Sequence, residues 1–346
     1  NGTNGDTNVT DSGPNGENGD NFHGDVGPDH EVGPEQCPSG DVDITSYGDL
    51  EAIHGCTELP GNLTIDDTEI SDVDPLHHLQ TIGGNLNLSA NSSLESFAGF
   101  QALTSVGADM TISQIPGFQN LDAFNALESV GGVLAITQMG NITAIDGFTA
   151  LTDANAVDIT DNGNLASIDG FTSLGATGRL NIRQNSSLAE INGFTSLSNA
   201  GSGDNTPNSG DAGVYLRDNS SLTNLSGFTA LTTTANLVIT GDSITDIPGF
   251  SSLTEVTGDL AVADNSSLTD ISGFGMLTNI GGSLQIGGAE DLSSSIPAPV
   301  EAGGNSTLGD ISGFSALTGI GDHLLIVDNA SLSSLSGFSS RTTLSV

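Results

Sequence analysis

The residues with most chemical potential are Asp158, Asn181, Arg183, Tyr215 and Arg217, which fall on three successive copies of a repeated segment. Each holds a position that a half-buried strand turns outward. Arg183 and Arg217 share one column, and a tyrosine beside two guanidinium groups can hold a sugar or a carboxylate. The plainer reading pairs these arginines locally with Asp218 or Glu190. Asp161, Asp218, Asp264 and Asp328 each precede an asparagine, and stacked carboxylates of this kind could take Ca²⁺. Gln184 and Gly241 interrupt that column, which favours solvated turn residues. His54, His77, His78 and His323 are spread over different copies, and no His/Asp/Ser set converges. Polysaccharide-cleaving β-helices need clustered carboxylates or a base. Outward positions here read mostly Asn, Thr, Ser, Ala and Val, so neither a catalytic site nor a cofactor is expected.

The charge balance narrows the partners. Asp and Glu number 43 against four arginines and no lysine, a net charge of −39. Nothing here can neutralise several phosphates, which excludes nucleic acid as a partner. Binding to anionic membranes is disfavoured for the same reason. The acidic surface suits solubility in a saline or calcium-rich exterior. Apolar residues make up 35% and aromatics 4%, with no Trp, which points to a thin core. No apolar run reaches the ~20 residues that a membrane span needs, so membrane insertion is not expected. No segment reads as a signal peptide, so an exported chain would be a mature or trimmed one.

The elements that must position these residues are repeats. Residues 1–36, rich in Gly, Asn, Asp and Pro, read as a flexible tail or linker. From Val42 onward a Gly-Phe element recurs at Phe100, Phe148, Phe171, Phe194, Phe228, Phe250, Phe274, Phe314 and Phe338, with Ala123-Phe124 as a variant. Differences such as 124 − 100 = 24 and 171 − 148 = 23 set the period. Two long gaps locate loop insertions near 199–211 and 288–303. In the copy GGNLNLSANSSLESFAGFQALTSV, Leu86 and Leu88 alternate with polar residues as in a strand. Leu94, Phe97, Phe100, Leu103 and Val106 then follow at three-residue steps. Gly, Asn, Ser and β-branched residues dominate, which predicts three short extended segments per coil joined by tight turns. The expected fold is all-β: a right-handed parallel β-helix, or β-solenoid, of about twelve coils. Their leading strands begin at Val42, Leu63, Leu86, Met110, Leu134, Val157, Leu180, Val214, Leu237, Leu260, Leu284 and Leu324. At the ~4.8 Å spacing of paired strands the stack would be roughly 50–55 Å long.

The segments GGNLNLSANSSL (83–94), TGDLAVADNSSLTDISGF (257–274) and GDHLLIVDNASLSSLSGF (321–338) resemble the receptor L domain family, a leucine-rich-repeat-like group. That family spans receptor ligand-binding lobes, fungal wall proteins and bacterial surface proteins. The opening CPSGDVDITSYGDLEAIHGCTELPGNLTI (37–65) is similar to the family's N-terminal cap. The resemblance covers roughly residues 37–346, with 37–62 as cap coil and 63–346 as the solenoid proper. It is diagnostic of architecture and weak on function. The receptors' Cys-rich modules are missing, so hormone binding is not implied.

Cys56 sits six residues after Leu50, as Phe100 does after Leu94, which assigns it the inward Phe position of the first coil. A Cys37–Cys56 disulfide would pin the chain's entry and contribute on the order of 3 kcal/mol. No ligand set or Cys-x-x-Cys spacing supports a metal or redox site, and a disulfide points to an oxidising compartment. Asn91, Asn162, Asn185, Asn219, Asn265, Asn305 and Asn329 each precede by three residues the Leu that opens the second segment, as a structural ladder would. Ile115 and Met139 replace Asn in two coils, where an apolar corner is expected. Sequons are frequent, and those off the ladder are the better glycan acceptors: Asn1, Asn8, Asn141 and Asn224.

These features predict a secreted, cell-surface, non-enzymatic structural or adhesive protein. An open C-terminal end suggests head-to-tail assembly with itself into a fibre. The alternative is a glycan- or protein-binding surface module.

Overall fold

The computed structural model describes residues 36–201, 212–288 and 303–339. Everything described below belongs to the unit that begins at residue 33. The expectations for the tail, for Asn1 and Asn8 and for most of both insertions lie outside the described residues.

This unit is a parallel β-solenoid. Twelve leading strands pair one upon the next in unbroken sequence order, and their first apolar residues form a single column. Val42 stands opposite Leu63, then Leu86, Met110, Leu134, Val157, Leu180, Val214, Leu237, Leu260, Leu284 and Leu324. We number the coils 1–12 by these strands. Register is set because a slip of one residue would turn the alternating Leu and Ile outward and polar residues inward. About ten of the turns carry an aromatic corner; Ile53 and Leu76 hold that place in coils 1 and 2.

The phenylalanines are piled in one file. From Phe100 through Phe124, Phe148, Phe171, Phe194, Phe228, Phe250, Phe274 and Phe314 to Phe338, successive ring centroids lie 5.1–6.0 Å apart. All except Phe338 are fully buried. Each such burial is worth roughly 1.5–3 kcal/mol, so the file and its flanking Leu and Ile are the main adhesive between coils. Except at Ala123, a glycine precedes each Phe of the file and lies against the coil beneath: a Cβ on Gly273 would collide with the Ile247 carbonyl oxygen.

The middle segment differs from the expectation of a third extended run. In most coils it closes in a 3-10 turn at the aromatic corner, as at Ala98–Phe100, Ser272–Phe274 and Ser312–Phe314. A polar side chain two residues upstream accepts the first N–H of the turn. Asp270 Oδ1 takes that of Ser272 at 2.7 Å, Asp310 that of Ser312 at 2.7 Å, and Asn224 that of Ser226 at 2.8 Å. Coils 5–7 have Ala144, Ser167 and Glu190 there and form true strands instead, Ala144–Ile145, Ser167–Ile168 and Glu190–Ile191.

A similar substitution shapes the corner before each leading strand. Asp41, Asn62, Asn85 and Asp109 stack there, each Oδ1 accepting the backbone N–H of the next coil's corner residue, ending at Val133. Asn236 and Asp259 repeat this towards Ser283. Where Val133, Ala156 and Arg179 occupy the corner, no side chain intervenes. The strands then run on unbroken as Ser129–Thr137, Asp153–Thr160 and Ala176–Arg183.

Candidate functional site

The outward patch assembles only in part. Asp158, Asn181 and Tyr215 stand in one row across coils 6–8, and Arg183 and Arg217 in another. Asp158 is held by Arg179, which sequence reasoning did not include: Nε and Nη2 make a bidentate pair with its two carboxylate oxygens at 3.1 and 2.7 Å. Arg179 reaches it because its corner position lies diagonally across from Asp158 on the neighbouring strand. Tyr215 is 4% exposed, with its hydroxyl donating to the Ala212 carbonyl and accepting from Asn236 Nδ2. The Arg217 guanidinium lies 5.0 Å from the Tyr215 ring centroid, in cation–π range. The tyrosine is therefore part of a packed layer and offers no open ring face. Arg183 alone of the five is exposed.

The asparagine column is a repeating hydrogen-bond device. Asn162 Oδ1 accepts the N–H of Met139, the preceding coil's residue in this column, and its Nδ2 donates to the Ile136 carbonyl. Asn185 does the same to Asn162 and Ile159, and Asn219 to Asn185 and Ile182. Asn265, Asn305 and Asn329 continue the pattern, and Asn91 starts it by serving Thr68 and Ile65. Six of these side chains are fully buried, and Asn329 is half-buried. Amides so engaged have no room for a sugar. Ile115 and Met139 are buried in the same column. Of the described glycan candidates, Asn141 is exposed with Nδ2 on the Pro116 carbonyl, and Asn224 is half-buried.

One member of the column escaped the sequence rule. Asp242 follows Asn219 by 23 residues and precedes Asn265 by 23. Its coil is one residue short, so Ile244 comes two residues later, and a search for Asn three before Leu passes over it. Its Oδ1 accepts the Asn219 N–H at 3.0 Å, and burial pushes its carboxyl up to about 8.

The residues just before the column, Asp67, Ala90, Gln114, Gln138, Asp161, Gln184, Asp218, Asp264 and Asp328, share a left-handed backbone with φ of 49–59°. Asp and Asn tolerate that conformation better than most residues, which accounts for the aspartates without a cation. Among the described residues no group of three His, Cys, Asp or Glu could hold a metal ion.

Two placements correct the sequence reading. Cys37 and Cys56 are disulfide-bonded, with Cα atoms 5.8 Å apart. Cys56, however, lies three residues before Leu59, which pairs with Ile82 and through it with Val106. It therefore shares the column of Leu79 and Leu103, and Ile53 takes the Phe position. The short helix Tyr47–Glu51 in coil 1 shifts the count. The histidines are not all scattered: His54, His77 and His78 meet on coils 1 and 2, with ring centroids 4.0–6.3 Å apart.

A groove of about 360 Å³ opens between coils 3 and 4, lined by Glu95, Gln101, Gln119, Asn120 and Asp122 over Phe97 and Phe118. Ala123, which takes the place of the aromatic-corner glycine, also lines it. The Phe97 and Phe118 rings stack on each other at 3.7 Å and are 3% and 8% exposed, so the floor offers no aromatic face to a ligand.

The fold and surface together define a parallel β-solenoid repeat protein with a disulfide-bonded first coil. No family model matches the chain, and no curated protein does. Among solved structures it is similar to an internalin from Listeria monocytogenes, at 15% identity and a TM-score of 0.20, over 88% of this chain and 91% of that one. It is also similar to TLR13 in its complex with ssRNA13, at 12% identity and a TM-score of 0.20, over 86% of this chain and 56% of that one. Among the described residues no helix is long and apolar enough to cross a membrane.

Proposed function

We propose that this protein is a non-enzymatic, extracellular structural or adhesive module of a cell surface. One observation carries this reading: the interior is filled from coil to coil by stacked phenylalanines and bonded asparagines, which leaves the outer surface to do the work. The disulfide supports an oxidising, extracellular setting. The surplus of carboxylates keeps such a surface soluble.

The finer reading is head-to-tail assembly into a fibre. Coil 12 offers the apolar surface such a contact would cover: Leu324, Leu325 and Ile326 are only half-buried, and Leu335 is 58% exposed. A contact between two different surfaces of the molecule propagates rather than closing on itself. Electron microscopy of the purified chain tests this, with filaments expected and their loss in a Leu325→Lys, Leu335→Lys double variant. Monodisperse monomers of the native chain at high concentration would sink the fibre reading.

The exposed Arg183 keeps a second reading open, a module for glycans or for another protein. A glycan array comparing the native chain with Arg183→Ala separates it from the first. Equal binding by both, or none by either, counts against this patch.

A further inference from the structure

We infer that Asp242 stands in the folded protein as a neutral carboxylic acid that donates its Oδ2 proton to the Leu216 carbonyl, and that ionising it loosens the joint between coils 8 and 9. The geometry comes from the column it occupies. Every asparagine there uses Oδ1 as acceptor and Nδ2 as donor. The carbonyl that Nδ2 reaches is that of the strand residue three positions before the preceding coil's column member: Ile159 for Asn185, Ile182 for Asn219, Ile239 for Asn265. For Asp242 that rule selects Leu216.

Asp242 keeps the acceptor half of the device. Its Oδ1 takes the Asn219 N–H at 3.0 Å, and its own N–H donates to Asn265 Oδ1 at 3.1 Å. Its Oδ2 is buried and makes no hydrogen bond as a carboxylate oxygen, although the residue is only 3% exposed. A buried acceptor facing a carbonyl is repelled, whereas a protonated one is bonded. A proton therefore restores what the amide supplies in the other coils.

The charged surroundings point the same way. On coil 8, Asp218 adds repulsion to any negative charge at Asp242. On coil 10, Asp264 holds the equivalent place, and on coil 9 itself the next acidic residue is Asp246. Arg217 on coil 8 has its guanidinium over the Tyr215 ring. Burial is the largest cause and the Asn219 amide opposes it, leaving the carboxyl raised to about 8.

The sign follows from linkage. A carboxyl raised on folding binds its proton more tightly in the native state than in the unfolded one, whose value lies near 3.9. Its contribution is fully present below about pH 4, declines as pH rises, and levels off above about 8. The joint is therefore firm in acid and weaker in alkali.

The test compares the native chain with Asp242→Asn by hydrogen exchange at the Asn219 amide and by denaturant unfolding, at matched pH from 4 to 9. Asn supplies the donor at every pH. The two proteins should be alike at pH 4. The native chain's opening constant should then rise relative to the variant by about tenfold per pH unit, flattening near pH 8. A native-to-variant ratio constant from pH 5 to 9 would overturn the proposal. So would a variant weaker than the native chain at neutral pH. Asp242→Ala, which can neither donate nor accept, should open more readily than Asp242→Asn at every pH; equality of the two would also overturn it.

Discussion

Coils 5–7 and the coils flanking them have the same interior and different corners. In both regions the phenylalanines stack and the leading strands pair in register. In the flanks, Asp, Asn or Ser side chains take backbone N–H groups at the bend before the strand and at the aromatic corner. In the centre those positions hold Val133, Ala156, Arg179, Ala144, Ser167 and Glu190, and the N–H groups at the aromatic corner bond to the preceding coil's backbone. The Asp169 N–H, for example, donates to the Ile145 carbonyl at 2.9 Å. The central strands grow long as a result, and Phe148 and Phe171 adopt φ of 60°, a costly conformation for aromatic residues. At the bend before the leading strand, the long central strands go with Val133, Ala156 and Arg179 in place of Asp or Asn, while the core underneath is the same.

The strongest challenge to that comparison is to remove the shared part. Phe171→Ala in the centre and Phe274→Ala in the flank should each lose about 3–5 kcal/mol in urea unfolding. A central loss below about 1 kcal/mol would show that the file is not a common core. Next in size is Asn185→Ala, which strands the Asn162 N–H and the Ile159 carbonyl. It should cost about 2–3 kcal/mol, seen as faster exchange in coils 6–8.

Exchanging corner residues probes the difference itself. Asp270→Ala should cost about 1 kcal/mol by uncapping the Ser272 N–H, while Ala144→Ser should change stability by less than about 0.5 kcal/mol. Comparable losses at the two sites would erase the distinction between regions. The smallest effect belongs to Arg179→Ala. The Asp158 pair is about one-fifth exposed at each side chain, so its loss should cost at most about 1 kcal/mol and less in high salt.

Much of the architecture is legible along the chain. The twelve starting residues picked out by period and alternation are the residues that stack, and the Asn spacing marks the column that carries the bonds. The corner Asp and Asn residues were equally visible, one position before each leading apolar residue, but single polar residues next to turns look alike until a neighbouring coil supplies their partner. The patch around Tyr215 was legible as a row, while the burial of its tyrosine was not. Outward on a strand means solvent only when nothing packs over it.

Period and composition by themselves determined a thin-cored parallel stack poor in bases, because burial of a repeating apolar face has few solutions at this spacing. Contacts between residues about one coil apart in sequence decided the rest: Cys56 in the column of Leu79, His54 against His77 and His78, Arg179 on Asp158, and Asp242 in a column of amides. Those depend on which residue lies on which in the next coil, and one added or missing residue in a turn changes the answer while leaving the repeat intact.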